Sequence, residues 1–127
     1  MQQLQFERSW NKALSTQDRN TIEEIFNITK EQKSSGVLFS PVRKSLNYRN
    51  ELLITVLVHN FSDSMLTFHN THLVYRTIEK VVAEKEFTIP ALSIPPKVSM
   101  PWTFIFSKND YHMDALNCEN GQLLLDK

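Results

Sequence analysis

The sequence is short of most things that simple functional classes require. It has one cysteine, Cys118, among 127 residues. A lone thiol closes no internal disulfide, and small secreted domains usually depend on such bridges, so a cytosolic address is expected. It has two glycines, Gly36 and Gly121, too few for a phosphate-cradling loop. It has no excess of either charge: 14 Lys+Arg stand against 14 Asp+Glu. That balance argues against a nucleic-acid partner, because neutralising a phosphate backbone takes surplus cations. No apolar run approaches the roughly 20 residues that span a bilayer, and no integral membrane segment is expected. Residues 1–10 have neither a basic n-region nor an apolar h-region, so they do not read as a signal peptide. Without export, Asn27-Ile-Thr29 and Asn60-Phe-Ser62 are chance matches to the glycosylation pattern.

What is present is enough apolar material for a core: 41% hydrophobic residues, eight of them Phe. Two textures follow one another. Residues 1–34 read as a helical hairpin. Phe6, Trp10, Ala13 and Leu14 line one helix face. Ser15 or Thr16 caps a second helix over about 16–30, with the stripe Ile22, Ile25, Phe26 and Ile28. Glu23 and Glu24 lie toward its start and Lys30 and Lys33 at its end, as the helix dipole favours. Ser34-Ser35-Gly36 stops it. Such a short hairpin needs something to pack on.

Residues 36–127 read as strands. A short run at 37–39 is followed by Pro41 and a first or edge strand at 42–48. The run 51–59 is apolar on both faces and therefore expected to be central. Strands follow at 66–76 and 81–89, the latter half-exposed by alternation. Pro90 and Pro95-Pro96 mark a linking loop. In 99–106, Trp102, Phe104 and Phe106 recur at period two and should face the core, opposite Ile54, Val56 and Val58. Pro101 implies a bulge or an unpaired edge position. Residues 122–125 form a last strand. Six or seven short strands with turns every eight to twelve residues predict an α+β, mainly β fold. It is a small antiparallel immunoglobulin-like β-sandwich, without the cysteine pair of antibody domains, preceded by the helical hairpin.

Chemistry is sparse. His69 and His72 fall on opposite faces of a strand, and no carboxylate or cysteine joins them at a metal-ligand spacing. Nothing beside Cys118 lowers its pKa, so it reads as an ordinary loop thiol. The carboxylates Glu23, Glu24, Glu84 and Glu86 sit at solvated positions and form no acid–base pair. No catalytic, cofactor-binding or metal-binding residue is expected. Trp102 reads as core rather than as a partner anchor, and Tyr48 and Tyr75 read as rim or core.

Three stretches carry a resemblance. They are Leu14-Ser-Thr-Gln-Asp18-Arg19 with Glu23-Glu24-Ile-Phe26, Leu53-Ile-Thr-Val-Leu-Val-His-Asn60, and Ile94-Pro-Pro-Lys-Val-Ser-Met-Pro-Trp-Thr-Phe-Ile-Phe-Ser-Lys108. The most specific part is Pro101-Trp-Thr-Phe-Ile-Phe106. Together, over residues 14–111, they resemble the SLAP domain of Firmicutes, found in the accessory-Sec S-layer assembly proteins. Those proteins carry the domain in duplicate, whereas this sequence holds one copy. The resemblance implies a non-enzymatic protein at the cytoplasmic face of the membrane. It would assist an accessory Sec ATPase in the secretion of surface-layer proteins, with no cofactor and with protein partners such as the ATPase or an S-layer protein. The alternatives are a small-ligand-binding or enzymatic domain, and a homo-oligomeric module whose hairpin covers a neighbouring subunit.

A partner could add a strand to an exposed edge. The candidate edges are 42–48, bearing Arg43 and Lys44, and 81–87, bearing Glu84, Lys85 and Glu86. Glu84 and Glu86 are the named partner-contact candidates. Lys at both positions is expected to weaken capture of a Lys-containing client while leaving the melting curve unchanged.

Overall fold

A computed structural model describes residues 2–32, 36–113, 115 and 121–126. The expected positions Lys33, Ser34, Ser35 and Cys118 lie outside the described residues. Along the chain run β1 (Gln3–Leu4), α1 (Arg8–Ala13), α2 (Thr16–Thr29), β2 (Val37–Leu46), β3 (Leu52–Asn60), β4 (Leu66–Arg76), β5 (Val81–Ile94), β6 (Val98–Phe106) and β7 (Gln122–Leu125). Two sheets form, ordered β1-β6-β3-β2 and β5-β4-β7. This is the mainly-β sandwich expected. All pairings are antiparallel except β1 with β6, where Gln3 lies beside Val98 and Leu4 beside Ser99.

The start of the chain is therefore not all helix. β1 docks first, and α1 is only six residues long. Phe6 precedes α1, Glu7 caps its first turn and Leu14 ends it. The Ser9 hydroxyl, with the Ser9 and Trp10 N–H groups, holds the Glu7 carboxyl below its usual pKa. α2 matches expectation: the Ser15 hydroxyl accepts the Asp18 N–H at 3.0 Å, and Asp18 sits in the first turn. Ile22 and Phe26 are buried one turn apart, whereas Ile28 points away and is 80% exposed. It falls off the stripe because six residues at 100° each carry it to the far side of the helix.

The run at 37–39 and the strand at 42–48 are one strand, β2. Pro41 does not end it. The register slips between Pro41 and Arg43, so Val42 is an extra residue in a bulge. A proline fits there because β2 terminates its sheet. β5 likewise runs through Pro90, which was expected to lie in a loop. The pairing jumps from Ile89 to Ser93 opposite Phe68 and Thr67, leaving Pro90 in an irregular stretch of another terminal strand. Pro101 causes no bulge: Leu57 stays opposite it, and it lies past the last residue of β6 that pairs with β1. It occupies the unpaired edge position expected.

β3 is central and buried almost throughout. One face supplies the core between the sheets, with Ile54, Val56 and Val58. Phe104 and Phe106 join that core, fully buried. Ile54 and Val56 are cross-strand neighbours of Phe104 and Trp102 in the same sheet, not residues facing them from the other. The facing groups are rings. Phe104 meets Phe87 at 5.2 Å edge-on and Phe68 at 5.6 Å, while Phe106 meets Phe87 at 5.3 Å. Such edge-to-face pairs add about 0.5–1.5 kcal/mol each beyond area burial.

The other face of β3 turns outward under α2. There Leu57 packs with Ile22 and Phe26, and Leu4, Phe6, Trp10, Leu14 and Val42 gather around them. The helical segment's apolar stripe is thus covered by its own chain. Trp102 is half-buried and bridges the two clusters, with its ring stacked on Trp10 at 6.2 Å.

Candidate protein-binding edge

β2 and β7 are the terminal strands of the two sheets on one side of the sandwich. They approach without pairing. Gln122 reaches across, donating from Nε2 to the Phe39 carbonyl at 2.6 Å, and Lys44 Nζ donates to the Ala115 carbonyl at 2.9 Å. A crevice of about 510 Å3 lies between these edges, with Arg43, Lys44 and Gln122 on its walls. Its floor is apolar, formed by Ile54, Val56, Tyr75 and Leu123. Gly121 is pressed onto the Tyr75 ring: a Cβ there would sit 2.1 Å from Cζ, so no other residue fits without moving the ring.

Arg43 stands at the mouth of this crevice and of two more. One, of about 160 Å3, runs beneath Trp10, Leu14, Thr21 and Ile22. The other, of about 420 Å3, is a shallow notch between α1 and Asp18. The β2 bulge is what joins them. The extra residue turns Val42 under α2 and leaves Arg43 on the rim, where its guanidinium lies 3.6 Å from the Asp18 carboxylate. Both groups stay substantially exposed, so the pair is weak and open to exchange with another carboxylate.

The second expected edge, on β5, is partly taken. The loop 107–112 folds back on it: the Glu84 N–H donates to the Asp110 carbonyl at 3.0 Å, and the His112 N–H to the Val82 carbonyl at 2.8 Å. This contact explains why Val82 and Ala83 are both buried where strict alternation was expected. Burial opposes ionisation of Asp110. The Ser107 hydroxyl and N–H and the Lys85 ammonium outweigh it and hold that carboxyl below its usual pKa. Glu84 and Glu86 are exposed, as expected. Glu84 accepts from His72 Nε2 at 3.1 Å, and the other ring nitrogen of His72 faces Asp126 at 2.8 Å. Glu86 lies directly across the ladder from His72.

The polar groups with the deepest burial were not singled out by sequence. His59 is fully buried on the outer face of β3, beneath the last turn of α2. Its Nδ1 meets the Ser99 hydroxyl at 2.6 Å, and Nε2 meets Ser40 at 2.9 Å and Thr29 at 3.0 Å. Phe61 stacks on the ring at 5.1 Å. Burial pushes its pKa down to about 4, so the imidazole is neutral near pH 7. Asn60, also fully buried, donates to the carbonyls of Ser64 at 2.8 Å and Ile94 at 2.9 Å, and accepts from Ser62. It ties the β3–β4 turn to the end of β5. Both side chains are spent on structure and neither opens to the crevice. His69 is exposed, and no group of three or more His, Cys, Asp or Glu able to hold a metal occurs among the described residues. No helix there is long and apolar enough to cross a membrane.

No curated protein and no solved structure matches the chain. A family does: the SLAP domain model covers residues 4–127, from the second residue of β1 through both helices and β2 to β7. The coverage takes in the β2 bulge, the Arg43 rim and the strand bearing Trp102 and Phe104, and the chain belongs to the SLAP domain family.

Proposed function

We propose that this protein is a non-enzymatic binding module in accessory-Sec export of surface-layer proteins, acting at the cytoplasmic face of the membrane. The family supplies the export context. The observation that supports a binding role is the β2 edge itself: a terminal strand beside an apolar-floored crevice, with a cation on its rim. An extended client segment would pair with the β2 backbone, place alternate apolar side chains over Ile54, Val56 and Leu123, and set an acidic residue against Arg43. Strand addition uses main-chain bonds for affinity and side-chain pockets for selection. The β5 edge offers less backbone, because its own loop occupies Val82 and Glu84.

The experiment is fluorescence anisotropy with labelled extended peptides cut from a surface-layer precursor, beside melting curves. Arg43→Glu should weaken capture about tenfold, as expected for reversing one charge on a partly shielded contact, with melting unchanged. The Glu84→Lys/Glu86→Lys pair should have a smaller effect. If the pair abolishes capture and Arg43→Glu does not, the client sits on β5 instead. The peptide recovered from the complex should have unaltered mass; a cleaved or modified product would overturn the non-enzymatic reading.

A further inference from the structure

The outward groups of the β2 edge follow from its ladder. The Phe61 N–H donates to the Gly36 carbonyl at 2.9 Å, so residue 36 turns its backbone toward β3. In an antiparallel ladder that direction alternates from one residue to the next. Leu38 and Ser40, opposite His59 and Leu57, therefore also bond inward, and Val37, Phe39 and Pro41 present their backbone groups away from β3. Pro41 has no N–H to offer. β7 obeys the same rule. The Asp126 N–H donates to the His72 carbonyl at 2.9 Å, and in that register Leu124 faces β4 while Leu123 turns its carbonyl away, toward the crevice.

One side chain meets both edges. Gln122 Nε2 donates to the Phe39 carbonyl at 2.6 Å and to the Leu123 carbonyl at 3.3 Å. An amide nitrogen carries two hydrogens, so it can serve both acceptors at once. It thereby stands in for the N–H groups of a strand lying between β2 and β7, which do not pair with each other. An open edge invites pairing with any extended chain, and occupying its outward carbonyls blunts that hazard.

This cap is removable. β7 is held to β4 by its backbone, with Gln122 opposite Arg76 and Leu124 opposite Val74, so the side-chain amide can swing out without undoing the sheet. An incoming strand that donates its own N–H to Phe39 replaces the bond it breaks, and its side chains then cover the apolar floor at Ile54, Val56 and Leu123. A chain that covers no floor gains nothing to offset the displaced amide. The cap thus raises the threshold for capture rather than closing the edge.

We infer that Gln122 is a self-inhibitory cap on the client edge, holding the Phe39 carbonyl until an extended segment with its own backbone N–H displaces it. The inference rests on β2 being the edge that captures clients, and it assigns that site its restraint. The test uses the same labelled peptides with Gln122→Met, which keeps the length of the side chain and removes both donors. Capture should strengthen about two- to tenfold, the range set by the net worth of one hydrogen bond. Adding Arg43→Glu should weaken the variant by the same factor as it weakens the parent, because the gain arises at the same site. Nitrogen-15 spectra of the parent give a readout that needs no variant. The side-chain amide protons of Gln122 should exchange with water more slowly than those of the exposed Gln17, and should quicken as peptide is added. Capture by the parent that Gln122→Met leaves unchanged or weakens would overturn the cap and leave strand addition at β2 standing. So would a peptide that binds without altering the Gln122 amide. Absence of capture by parent and variant alike would overturn both readings.

Discussion

The two faces of β3 build different kinds of interior. Between the sheets the interior is dry and ring-rich, centred on Phe104, which touches Phe39, Phe68 and Phe87. Under α2 it is mixed: an apolar patch around Leu57 lies beside a polar joint at His59. In that joint, one consistent assignment has the Gln2 amide donating to Ser99, Ser99 to His59 Nδ1, His59 Nε2 to Thr29, and Thr29 to the Ile25 carbonyl. The relay connects the residue just before β1 with β6, β3 and α2 in one network. The first interior gains its energy from area and shape. The second gains geometry: every buried side-chain polar atom among the described residues has a partner, and losing one partner strands another.

The largest effect should come from the dry interior. Phe104→Ala removes the ring that both sheets share and should cost about 3–5 kcal/mol. The loss, measured by denaturant unfolding, should be the same at pH 8 and pH 6, since the rings that meet it, Phe39, Phe68 and Phe87, do not titrate. A pH-dependent loss would show that the two interiors are coupled.

The polar joint should respond to acid. His59 has a folded pKa of about 4 against 6.5 when unperturbed, so below 6.5 the unfolded chain binds a proton that the folded one refuses. Its contribution is intact above 6.5 and is lost as pH falls toward 4. The full loss is on the order of 3 kcal/mol. Unfolding curves across that window should show the slope in the parent, and His59→Gln should flatten it. A slope that survives in the variant would place the acid sensitivity elsewhere.

The smallest effect should be confined to the helix. Ser15→Ala removes the cap of α2 and should cost about 1 kcal/mol. Amide exchange should quicken in α2 ahead of β3. Uniform quickening across both would mean the helix and sheet open as one unit.

Sequence pattern reaches these two interiors unequally. Trp102, Phe104 and Phe106 announce themselves by period two, and the unbroken apolar run of β3 announces a central strand. The Ser15 cap and the extent of α2 were equally legible. His59, Ser40, Ser99 and Thr29 leave no periodic trace. Their roles come from one network closing across four elements, and single residues of mixed polarity look like surface until the partners are known. Pattern also misleads at Pro41 and Pro90, where proline reads as an end of strand; each lies in an irregular stretch of a terminal strand. The site was partly legible. Arg43 lay on a candidate edge, but the crevice beside it depends on how β2 meets β7, which no local pattern encodes. The occupied stretch of β5 depends on a loop more than twenty residues away in sequence.

The docking of β1 and α2 onto the sandwich has a consequence for synthesis. Ile22 and Phe26 must wait for Leu57, and Trp10 for Trp102, which emerges about 90 residues later. At about 5–20 residues per second, the first tryptophan spends roughly 5–18 s on the ribosome without its stacking partner. For that interval the Trp10 face of α1 stays uncovered, ahead of the strand that will complete its packing. A chaperone that binds exposed aromatic surfaces would hold this segment until β6 arrives to complete the sheet.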